Sequence, residues 1–155
     1  MTKTTSVSRV IRAAPEDLYA AFLDPAALLA WLPPGRMTGR MHAFEACVGG
    51  GYRMSLFYPA DEQAFRGKSA EREDRVDVRF VELSPPHRIV QTAVFDTPDP
   101  ALQGEMWMVT TFEPVPGGAK VAIRHENLPP GLRPEDDQAG SQISLDQLAR
   151  WIEAP

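Results

Sequence analysis

Hydrophobic and polar positions change period along this chain, and each change marks a new element. Residues 4–12, "TTSVSRVIR", alternate with Val7, Arg9 and Ile11 on one parity among β-branched neighbours, which predicts an opening strand. Pro15 ends that run. "APEDLYAAFLDP" then has helical spacing, with Leu18, Ala21 and Phe22 on one stripe and Glu16 and Asp17 at the end where a helix dipole favours acids. Pro25 restarts the chain as a second short helix, "PAALLAWL", which Pro33-Pro34-Gly35 closes.

Alternation returns in "MHAFEACVGGGYRMSLFY". It predicts a hairpin turning at Gly49-Gly50-Gly51, with Phe44, Ala46 and Val48 on one face, followed by Tyr52, Met54 and Leu56. The polar stretch at 59–74 predicts a long loop with ragged strand at its far end. Strands follow at "RVDVRFVEL", "RIVQTAVF", "GEMWMVTTFEP" and "AKVAIRHEN", separated by Pro and Gly punctuation at hairpin spacing, so the expected sheet is an antiparallel meander. "RPEDDQAGSQISLDQLARWIEAP" is helical again, with Ser141, Leu145, Leu148 and Ile152 in line.

At 155 residues the chain is expected to form one domain over 1–155, with a core large enough to keep a cavity. A net charge of -5, spread along the chain, offers no footprint for nucleic acid or an anionic membrane, so neither is an expected partner. A single cysteine, Cys47, excludes an internal disulfide framework. The first residues carry no hydrophobic signal core and no apolar run reaches bilayer length, which places the expected site of action in the cytoplasm.

Candidate chemistry is sparse. His125 and Glu126 are adjacent on a strand, so they point to opposite faces and do not form a pair. If Val121 and Ile123 face inward, His125 continues that series and Glu126 faces solvent. The expectation for His125 is a histidine hydrogen-bonded at a cavity edge, and it is also the best polar ligand contact. His42, His87 and His125 have no paired spacing and Cys47 stands alone, so neither a metal nor another cofactor is expected. Cys47 has the parity opposite to Phe44, which turns it outward and argues against a Cys-His nucleophile. "RGKS" at 66–69 lacks the first glycine of a phosphate loop. Glu82 shares a face with Val78 and Phe80. It either enters the apolar interior, where desolvation would raise its pKa, or is turned out by a bulge before Pro85.

The remaining inward series is apolar: Phe44, Tyr52, Met54, Leu56, Phe80, Ile89, Phe95, Met108, Phe112, Val121, Ile123, Leu145 and Leu148. Methionines mixed with aromatic rings suit either an adaptable pocket or an ordinary core.

The words "RVIRAAPEDLYAAFLDPAALLAWLPP", "FEACVGGGYRMSL", "VRFVELSPPHRIV", "MVTTFEPVPGGAKVAIRHENLP" and "AGSQISLDQLARWIE" stand in an order that resembles the SRPBCC (START-like, Bet v 1-like) superfamily. Within it, they resemble the activator of Hsp90 ATPase homologue 1-like (AHSA1) family. The resemblance implies an α+β helix-grip fold: a curved antiparallel sheet of about six to seven strands around a long C-terminal helix, with two short helices after the first strand. It also implies a hydrophobic cavity between sheet and helix. Members of the family often carry Trp after the glycine of the final helix. Here Ser141 follows Gly140, which either enlarges the cavity or leaves room for Met or Phe from the sheet.

The function expected from this resemblance is binding of a small hydrophobic molecule. The site residues would be Phe44, Tyr52, Met54, Phe80, Gln91, Met108, Phe112, Ile123, His125, Ser141 and Leu145. A polyketide cyclase or aromatase type of enzyme is the second expectation, with no catalytic motif to support it, and a protein-interaction or co-chaperone-like module is the third. Eukaryotic stimulators of Hsp90 carry an additional N-terminal domain that 155 residues cannot hold. Cys47 and an outward Trp107 are the candidate contacts of a homodimer.

Overall fold

Residues 3–60 and 72–154 are described by a computed structural model. The "RGKS" stretch at 66–69 lies outside them. Strand β1 (Thr4–Ile11) leads into α1 (Pro15–Ala21) and α2 (Pro25–Trp31), and six strands follow: β2 (Thr38–Glu45), β3 (Gly51–Phe57), β4 (Glu73–Ser84), β5 (Arg88–Phe95), β6 (Glu105–Val115) and β7 (Gly118–Glu126). A short 3-10 turn, Pro100–Leu102, precedes β6, and helix α3 (Pro134–Glu153) ends the chain. The strands form one antiparallel sheet in the order β1-β7-β6-β5-β4-β3-β2, curved around α3 in the helix-grip arrangement. The first strand thus pairs with the last.

Local chemistry explains the helix boundaries. Pro15 and Pro25 supply a fixed φ where the first helical N–H groups need no partner. Asp24 caps α2 by accepting from the Ala26 amide at 3.0 Å. The short helices are held from within: Leu18, Leu28 and Trp31 are almost completely buried, and the Trp31 indole donates to the Ala21 carbonyl at 3.0 Å. Phe22 packs against Trp31 and Phe112 with ring centroids 4.7 and 5.3 Å apart. Each such side chain contributes about 1.5–3 kcal/mol of burial.

Two irregularities depart from simple alternation. β2 ends at Glu45, so Ala46 and Val48 belong to the turn and are exposed rather than sharing the inner face with Phe44. The turn is pinned to β4 instead, with the Gly49 amide donating to the Phe80 carbonyl and the Phe80 amide donating to the Gly50 carbonyl, both at 2.9 Å. Gly51 then starts β3 and passes so close to β4 that an added Cβ would sit 1.8 Å from the Val78 carbonyl oxygen. Beside this contact β4 has a bulge: Phe80 pairs with Gln91, but Glu82 pairs with Val90. β4 also begins earlier than its apolar run, at Glu73, because Asp74 and Val76 continue the inward series of Val78 and Phe80.

α3 is packed unevenly. Its C-terminal half buries Leu145, Leu148 and Ala149 completely, while its N-terminal half carries Ala139, Gly140 and Ser141. Gln147 fixes the helix to the end of α2, donating to the Trp31 and Pro33 carbonyls at 2.7 and 2.9 Å, and the Ser144 hydroxyl donates to the Leu32 carbonyl at 2.6 Å. Arg9 of β1 meets Asp146 at 3.0 Å. Tight packing at one end and small residues at the other leave a gap beneath the first half of α3.

Candidate functional site

That gap is a cavity of about 770 Å³ between the concave face of the sheet and the N-terminal half of α3. Tyr52, Met54, Gln91, Met108, Ile123, His125 and Ser141 line it. Gly140 lines it too, and a Cβ built there would meet no atom within 4 Å, so the space at Gly140 is open.

Phe44, Phe80, Phe112 and Leu145 do not face the cavity. Phe80 lies under a cluster with Phe44 and Tyr52, with centroids 6.0–6.1 Å apart, and Phe44 stacks on the far side of Tyr52 at 5.6 Å. Phe112 packs under α1 against Tyr19 and Phe22, and Leu145 is sealed in the core below the cavity. Sharing the inner face of the sheet was not enough to reach the cavity: Phe44 and Phe80 pack against each other and Tyr52, Phe112 against α1, and Leu145 in the buried core.

Sheet register sets out the polar groups. Phe80, Gln91, Met108, His125 and Thr5 form one row across β4, β5, β6, β7 and β1. At one end of this row His125 Nδ1 lies 2.9 and 3.0 Å from the two carboxylate oxygens of Asp137, in the first turn of α3. The Thr5 hydroxyl donates to the same carboxylate at 2.5 Å. Both members of the pair are nearly buried, with side chains 12% and 9% exposed. Asp137 therefore ties β7 and β1 to the start of α3. Glu126, the neighbour of His125, points outward and pairs with Arg124 at 2.8 Å, as strand alternation requires.

Nearer the middle of the sheet, Tyr52 is hydrogen-bonded to Gln91, and both are buried. Burial pushes the Tyr52 phenol up to about 12, with the Gln91 hydrogen bond pulling the other way. At the β3 and β4 end Tyr58 donates to Asp74 at 2.9 Å. Burial first, then the Asp74 charge, raises that phenol well above its ordinary range. Arg36, Arg133, Asp136, Thr110 and Ser144 add further polar groups to the lining, and the rest of the walls is apolar and rich in sulfur and aromatic rings: Met37, Met54, Met106 and Met108 share them with Phe22, Trp31 and Phe95.

Asp137, Asp74 and Thr5 were not anticipated as parts of the site. Asp137 reads as one of several helix-initiating acids in "PEDD", and only the fold reveals that it meets His125. Glu82 is resolved by the bulge, which turns it to the outer surface, where Ser84 donates to it at 2.9 Å and Arg88 approaches to 3.4 Å. Cys47 is exposed in the β2–β3 turn, and its thiol donates to Glu45 at 3.2 Å. That hydrogen bond raises the thiol above its ordinary range. Among the described residues no three His, Cys, Asp or Glu side chains gather in a metal-binding group, and no helix is long and apolar enough to cross a membrane.

The same architecture occurs in solved structures. A protein from Chromobacterium violaceum is 36% identical, covers 98% of both chains and superposes with a TM-score of 0.87. An AHSA1-like protein from Aeromonas hydrophila is 20% identical over 98% of this chain and 93% of that one, with a TM-score of 0.73. A Rhodobacter sphaeroides protein is 24% identical over 97% of this chain and 93% of its own, at 0.72. The latter two show the fold alone. Comparison with curated proteins gives no match. The family model described as activator of Hsp90 ATPase homolog 1-like protein matches residues 12–153, from just after β1 to the last turn of α3, so the chain belongs to the AHSA1 family.

Proposed function

We propose that the protein binds one small hydrophobic molecule in the cavity between the sheet and the N-terminal half of α3, with the cytoplasm as its compartment. The observation that carries this reading is the cavity of about 770 Å³, kept open where α3 carries Gly140 and Ser141. Its size falls in the range of small-molecule sites, and its lining has the pattern of such sites: many apolar and aromatic side chains with a few polar groups. Burial of the ligand against Met54, Met106, Met108, Ile123 and Trp31 supplies the affinity, and Tyr52, Gln91 and His125 orient a polar end. A panel of lipophilic compounds tested by thermal shift is expected to contain binders that raise the melting temperature in proportion to the logarithm of concentration. A panel without any such compound contradicts the reading.

A second reading, an enzyme of the polyketide cyclase or aromatase type, is favoured by one observation, the carboxylate-held imidazole at the cavity wall. His125→Ala abolishes turnover of an identified substrate under this reading and leaves it intact otherwise. For the expected homodimer the candidate contact is Trp107, which is 37% exposed on the outer face, whereas Cys47 lies beyond β5 and β4 at the other side of the sheet. Sedimentation velocity over a range of protein concentration separates monomer from dimer.

A further inference from the structure

The hydrogen bonds around His125 give the cavity a chemical polarity. Asp137 meets Nδ1 with both carboxylate oxygens and accepts from Thr5 as well. A carboxylate accepts and does not donate, so in the neutral ring the proton sits on Nδ1. Nε2 then presents a lone pair. Among the described residues no group bonds to Nε2, and the side chain lines the cavity. Beside His125 in the same row stands Met108, and Met106 lies two residues before it on β6. Thioethers next to an open space favour an aromatic ring over a purely aliphatic chain.

We infer that the ligand is an apolar aromatic compound bearing a hydroxyl group, which donates its hydrogen bond to Nε2 of His125, and that Asp137 acts as a positioning residue by fixing the tautomer. This rests on the cavity-binding reading and adds a requirement to it: the ligand must bring a donor. An ether or ketone of the same shape places an acceptor against the lone pair, loses the bond and leaves Nε2 desolvated without a partner.

A matched pair of probes tests the requirement. Isothermal titration of the full chain at about pH 8 with 2-naphthol and with 2-methoxynaphthalene is expected to show the naphthol binding about tenfold more tightly. His125→Phe is expected to reduce that preference below about twofold while the ether still binds. Asp137→Asn allows an amide to donate to Nδ1, moves the ring proton to Nε2 and is expected to erase the preference. Nitrogen-15 NMR of the ligand-free protein is expected to show the proton of His125 on Nδ1. Equal affinities of the two probes for the unaltered protein, or a proton on Nε2, overturn the donor requirement and leave the cavity reading standing. Binding of neither probe contradicts the donor requirement with these aromatics, and if the wider lipophile panel is also silent the cavity reading falls with it.

Discussion

His125 shows what one side chain's surroundings add to its chemistry. Strand alternation turns it inward, but Asp137 makes it a defined hydrogen-bond acceptor, and that carboxylate comes from the other end of a loop. Removing the carboxylate leaves His125 Nδ1 and the Thr5 hydroxyl without that partner where both side chains are nearly buried. Asp137→Ala is therefore expected to cost about 2–3 kcal/mol in urea denaturation, well above the effect of a surface substitution. Tyr52 carries a second residue-level prediction. Its phenol is held up to about 12, against an ordinary value of 10.0 in the unfolded chain. Between these values the unfolded state has lost the proton and the folded state keeps it, so its contribution to stability is complete below about pH 10 and falls as pH rises toward 12. Melting temperatures measured across that window are expected to decline less steeply in Tyr52→Phe than in the unaltered protein. Glu82→Gln, in contrast, is expected to change stability by less than about 0.5 kcal/mol, because the bulge has put that carboxylate on the outer surface.

At the scale of elements, helix α3 divides its work along its length. Leu145 and Leu148 anchor one half in the core and Ala139, Gly140 and Ser141 leave space beside the other. Leu145→Ala is accordingly expected to cost about 2–5 kcal/mol. Ser141→Trp is expected to leave the fold intact, fill part of the cavity and abolish the thermal shifts given by lipophilic ligands. Differential scanning fluorimetry with and without ligand reads both outcomes. The order of elements was legible from period alone, since proline and glycine mark nearly every boundary. The turn after β2 was not. Alternation of Phe44, Ala46 and Val48 runs through a segment that pairs with no strand in register, and the contact that stops β2 is with the Phe80 backbone far along the chain. The same contact sits beside the β4 bulge that decides Glu82, so one long-range feature accounts for both ambiguities.

Across the whole molecule, the inner face of the sheet is divided between a core under α1 and the C-terminal half of α3 and a cavity under the remainder. Sequence parity finds that inner face but not the division, which is why Tyr52, Met54 and Met108 line the cavity while Phe80, Phe112 and Leu145 fill the core. The polar partners were hidden for the same reason: Asp137 and Thr5 reach His125 only after β1 and β7 have paired and α3 has folded back across them. Under the proposed function the cavity holds a small molecule. Native mass spectrometry of the protein purified from its own host tests it most directly. One retained small molecule per chain, released on unfolding and absent from Ser141→Trp prepared in the same way, is the expected result. A bare polypeptide mass under conditions that preserve a lipophile added as a control, together with unchanged spectra for the Trp variant, would contradict it.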